Sequence, residues 1–194
     1  LEAGPVVERE SDPKAPTLRP VEPRDIAILV PTHSMAARYA AALKRQNVPV
    51  CISATGWLDS IAVMAARNAL AFTVDSTDRH AALALLTLGP SSMPLQKAMS
   101  LLADGELETC AELADVRALA ETAPAIPLET LLPQVLSAAG ILDWAARMPE
   151  AAQAHADLMR LSAEVSEFVS AHRDFKAAAG YHGASAQVFL GWLE

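Results

Sequence analysis

Residues 25–50 read DIAILVPTHSMAARYAAALKRQNVPV, and this stretch decides what fold to expect. Ile26-Ala27-Ile28-Leu29-Val30 is a continuous apolar run with several branched side chains, stopped by Pro31. Such a run suits a strand buried on both faces, as in a parallel sheet, better than a solvent-facing one. Thr32-His33-Ser34 follows as a turn with hydroxyls able to cap a helix. Met35 to Gln46 is alanine-rich, contains Leu43, and carries Lys44 and Arg45 in its last turn, where cations complement the helix dipole. Asn47 ends that helix, and Val48-Pro49-Val50-Cys51-Ile52 reads as a second short strand. The expectation is a small β-α-β unit within residues 24–56.

Upstream, residues 1–23 hold five prolines and mixed charge. Proline removes a backbone donor and biases its predecessor away from helix, so an extended lead-in is expected there. Downstream, residues 57–194 read as helical throughout. Asp59 or Ser60 can cap a helix running to about Val74, with Ile61, Met64, Ala65 and Leu70 toward one side. Asp75-Ser76-Thr77-Asp78 is a polar break rich in N-cap residues. Further helices are expected at 79–88, stopped by Gly89-Pro90, at 95–103, ended near Gly105, and at 106–121. Residues 128–148 suggest one or two helices broken at Gly140, with Pro133 near the first turn. Residues 151–179 suggest the longest helix, with Leu158, Leu161, Val165, Phe168 and Val169 at helical spacing. Gly180 and Gly183 interrupt it, and 184–193 resumes. The fold class is thus mainly α, a multi-helix bundle behind one β-α-β unit.

Composition agrees with that reading. The chain has 194 residues, 52% of them hydrophobic, which excludes global disorder. Leu1 stands where a start methionine would, so a piece of a longer polypeptide is expected. Two cysteines, Cys51 and Cys110, form no CxxC and point to a reducing, cytoplasmic setting. No apolar run approaches a membrane span, and no secretory leader pattern opens the chain. Fifteen Lys and Arg against 23 Asp and Glu leave a net charge of −8. That balance argues against a self-sufficient nucleic-acid binder, because phosphate contacts need clustered cations. Seven of the cations (Arg9, Lys14, Arg19, Arg24, Arg38, Lys44, Arg45) nevertheless fall in the first fifty positions.

Ordinary catalytic signatures are missing. There is no GxxxxGK[ST] phosphate loop and no GxGxxG. His33, His80, His155, His172 and His182 are scattered, with no HExxH and no zinc-ligand spacing to a cysteine. No GxSxG elbow supports a nucleophile. Asp104, Glu106, Glu108 and Glu112 read as helix-start charges and a solvated face. Trp57, Trp144 and Trp192 are too widely spaced for a base-stacking platform and suit packing.

The 25–50 stretch resembles the fourth conserved motif of superfamily 1 DNA helicases of the UvrD/Rep type, including the AddA/RecB helicase–nucleases. The continuation is similar in order: the Gly56-Trp57 step, a helix before an acidic break, then ALLTLGP ending at Pro90, which looks like the entry to the family's inserted helical subdomain. VFLGWLE at 188–194 resembles a segment of the AddA/RecB-like branch. The resemblance implies part of a second RecA-like motor domain followed by a helical insertion. It implies a parent enzyme that uses ATP and Mg2+ to translocate on and unwind DNA in recombinational repair. Its partners would be DNA, the remaining helicase domains and a second nuclease or helicase subunit, with no membrane.

By the same resemblance Thr32, His33 and Arg38 are the nucleotide-proximal positions. Thr32 matches the family's threonine or serine, His33 stands where asparagine is common, and Arg38 is one residue from a frequent helix arginine. Pro31, however, replaces the arginine that normally follows the strand. No metal ligand and no catalytic residue is expected here, and the isolated chain is expected to bind no cofactor.

Two other classes compete. A helical adaptor would share the bundle without motor ancestry. ILVPTHS also looks like the first strand of a glycosyltransferase, but no Asp-x-Asp follows: Asp75 and Asp78 are spaced Asp-x-x-Asp. In the motor reading the strand from Ile26 leaves an unpaired edge. The first fifty residues are then expected to be loosely ordered or paired with a second copy, while the helical part folds independently.

Overall fold

The computed structural model describes residues 5–8, 17–52, 56–176 and 185–193. The chain divides into two compact units, Leu1–Ala54 and Thr55–Glu194. In the first, β1 (Pro5–Glu8) and β2 (Thr17–Pro20) pair antiparallel, with Pro5 opposite Pro20 and Val7 opposite Leu18. The extended lead-in thus contains paired strands. Their prolines sit at the ends of the pairing, where a missing donor disturbs the ladder least. A 3-10 turn, Pro23–Asp25, follows, and the Glu22 N–H donates to Asp25 Oδ2 at 2.8 Å.

The expected β-α-β unit is not formed. Residues 26–30 and 48–52 both lie outside strands, so its helix stands without its sheet. Ile26, Ile28 and Leu29 are 62%, 52% and 94% exposed. The physical reason is that apolar character selects a strand only where a neighbouring strand supplies the hydrogen bonds and a cover. The helix itself does form. α1 (His33–Lys44) begins at Thr32, whose Oγ1 accepts the Met35 N–H. It ends in a left-handed Asn47 at φ 58°, with the Val48 N–H on the Leu43 carbonyl and the Asn47 N–H on Lys44. That paired closure is what an αL residue after a helix makes possible.

The second unit is helical in all its described residues that carry regular structure. At its centre is α2 (Ile61–Val74). Ala62, Val63, Ala65, Ala66, Ala69, Leu70, Phe72 and Thr73 are all buried. A helix buried nearly all round is a core element. The single-sided arrangement expected for Ile61, Met64, Ala65 and Leu70 is therefore corrected: Ile61 is exposed, Met64 half-buried, and burial spreads around the helix. The alanines let neighbours approach closely. Two polar side chains on α2 turn back on their own backbone, Thr73 Oγ1 to the Ala69 carbonyl and Asn68 Nδ2 to Met64, each at 2.8 Å, whereas Arg67 Nε is buried with no hydrogen-bond partner.

Around α2 pack α3 (Arg79–Leu88), α5 (Ala114–Ala120), α6 (Leu128–Ala138), α7 (Ile141–Ala145), α8 (Ala151–Lys176) and α9 (Ala186–Trp192), while α4 (Leu95–Asp104) packs on α3. Asp78 caps α3 by accepting the Ala81 N–H at 2.9 Å. Buried Gly89 closes it, and a Cβ there would overlap the Leu85 carbonyl oxygen. Gly105 at φ 72° ends α4, and Gly140 at φ 64° separates α6 from α7. On α8 the buried residues Ala154, Leu158, Leu161, Val165 and Phe168 alternate steps of four and three, so one stripe faces the core. The interruption expected at Gly180 and Gly183 lies outside the described residues.

The helix expected at 106–121 is corrected. The structure has 3-10 turns at Leu107–Thr109 and Ala111–Leu113 before α5, with Cys110 extended at ψ 152°. Leu107 and Leu113 are both buried. Six residues apart on one α-helix they would point about 120° away from each other. The extended step at Cys110 brings both inward.

Candidate functional site

Pro31, Thr32, His33 and Arg38 lie on the turn into α1 and its first turns, and all four are exposed. Thr32 acts through its hydroxyl, which accepts the Met35 N–H at 3.3 Å and lies 3.1 Å from Ser34 Oγ. It is a helix cap first. His33 opens the helix. Arg38 follows five residues later, about 140° around the axis from His33. The structure places Thr32 and His33 side by side at the positive end of the helix dipole and turns Arg38 toward another side. A helix start of this kind attracts an anion weakly. Pro31 adds neither charge nor donor, so Arg38 does not complete a two-armed phosphate clamp here.

The other positions singled out in the sequence serve packing and turns. Trp57 follows Gly56, which has a left-handed backbone at φ 87°, and its ring carries the Arg160 guanidinium 4.7 Å from its centroid. That stacking joins the start of α2 to α8 and occupies the ring face a base would need. Trp144 is half-buried against the core. Trp192 lies 5.7 Å from Phe168, whose ring also meets Phe189 at 5.3 Å and His172 at 3.9 Å. His172 Nδ1–H donates to the Phe168 carbonyl at 2.7 Å, so this histidine belongs to the joint between α8 and α9. His33, His80 and His155 are exposed, and His182 lies outside the described residues.

Two carboxylates are held below their usual range. Glu108 accepts from Arg79 Nε at 2.6 Å, the main cause of its lowering, while Arg117 Nη1 donates to the Glu108 carbonyl. Asp75 accepts the Thr77 hydroxyl at 2.7 Å, the larger cause, and the Thr77 N–H at 2.9 Å. Asp75 thus braces the break before α3 and Asp78 caps the helix, which accounts for the Asp-x-x-Asp spacing. Burial pushes the Cys110 thiol up, the opposite of an activated nucleophile. Asp157, buried on α8, was not singled out from the sequence. It accepts from Gln153 Nε2 at 2.8 Å and sits beside Leu158 on the buried stripe. A charge next to an apolar repeat position was its only signal.

Among the described residues no group of three or more His, Cys, Asp or Glu side chains could hold a metal ion. Also among them, no helix is long and apolar enough to cross a membrane. No protein-family model matches the chain, and no curated protein matches its sequence.

Proposed function

We propose that this chain is an internal part of a UvrD/Rep-type DNA helicase of the AddA/RecB-like branch, contributing a piece of the second motor domain and a helical region that positions DNA or a partner subunit. The observation that carries this reading is the segment from Ile26 to Val30. It is apolar yet exposed from Ile26 to Leu29, with Val30 half-buried, and it runs straight into the Thr32-capped helix α1. A motor-domain strand has that character when its neighbouring strands come from elsewhere in the polypeptide. The order of resemblances along the sequence, from DIAILVPTHS to ALLTLGP, supports it further.

In such a parent, ATP with Mg2+ would bind between two RecA-like domains, and hydrolysis would open and close them along single-stranded DNA in the cytoplasm. Thr32 and His33 would lie nearest the nucleotide, with Pro31 leaving the phosphates to arginines outside this segment. The decisive experiment is to read the parent frame for an upstream GxxxxGK[ST] and to assay the full polypeptide for ATP-driven duplex unwinding. A frame without that loop ends the proposal.

The isolated chain should be inactive. Calorimetric titration with ATP and Mg2+ should show no low-micromolar binding, because no phosphate-cradling glycine loop is present. Its DNA affinity should be on the order of 10⁻⁴ M or weaker at physiological salt and fall steeply as salt rises. Nanomolar, salt-insensitive binding would contradict this.

A second reading, a non-catalytic helical adaptor, is favoured by one observation. Apart from Arg67, the polar groups of the helical unit described above cap helices, brace turns or pair with each other. A parent frame lacking both the phosphate loop and the later motor motifs would select it.

A further inference from the structure

We draw no further inference here: the strongest candidate, the exposed pair Leu95 and Met99 one turn apart on the outer face of α4, carries nothing because no feature of the structure shows what covers it.

Discussion

The helix α2 and the segment Ile26 to Val30 are both built almost wholly from apolar side chains, yet their fates are opposite. Val63, Leu70 and Phe72 are at most 1% exposed, whereas Leu29 is almost fully exposed. Both are rich in apolar side chains; what differs is the supply of neighbours. An α-helix satisfies its backbone internally and needs only side-chain cover, which the surrounding helices of the same unit provide. A strand needs a partner for its backbone before burial can begin.

The largest expected effect tests the buried side of this contrast. Phe72→Ala or Phe168→Ala should destabilise the helical unit by about 3–5 kcal/mol, the usual cost of emptying a filled aromatic site. Denaturant titration followed by tryptophan fluorescence is suited to this, since Trp57, Trp144 and Trp192 all lie in that unit. A loss under 1 kcal/mol for Phe72→Ala would mean that α2 is not the centre of the core.

Next comes Gly89→Ala, where the added methyl meets backbone. It should cost about 1–3 kcal/mol, as overpacking does. Asp78→Ala should cost about 1 kcal/mol through the lost cap of α3. The exposed side predicts the contrast: Leu29→Ala should change stability by no more than about 0.5 kcal/mol. Hydrogen exchange should find the amides of 27–30 unprotected while those of α2 exchange only on unfolding of the unit. If Leu29→Ala proves as costly as Leu70→Ala, or the 27–30 amides are protected, the segment is covered in solution.

The smallest effect is one of pH. Glu108 and Asp75 titrate below their usual range in the folded chain. Each stabilises the fold above the unfolded carboxylate value and loses that contribution as pH falls through the lowered folded value. Thermal stability should therefore decline on acidification below about pH 4. Glu108→Gln should make the decline shallower; an unchanged profile would show that the Arg79 contact is not kept in solution.

How far the sequence was legible follows the same division. Asp78 with Arg79 to Leu88 and the stop at Gly89 could be read directly, because caps and breakers act within a few residues. The same holds for α4 ending at Gly105 and for the Gly140 break, while α1, expected from Met35 to Gln46, begins two residues earlier at His33 and ends at Lys44. Misreadings arose where distant chain decides. Ile26 to Val30 has strand composition but no ladder, and the break at Cys110 is imposed by the burial of both Leu107 and Leu113. All-round burial of α2 was illegible for a related reason. Alanine tolerates any face, so its spacing points to none.

For the site, Thr32 could be read as a cap, and its nearness to His33 is simple adjacency. That Arg38 turns to another side follows from helical geometry alone. Any role for these residues in nucleotide binding depends on groups that residues 25–50 do not include.

The encirclement of α2 also bears on synthesis. Within the helical unit α2 is made before the helices that wall it; these are added one at a time, and α9, the last described helix, packs on it as well. Until α9 is made, part of that apolar surface lacks its cover. A truncation before α9 should therefore leave part of the apolar surface of α2 without its cover, the kind of exposure that favours aggregation.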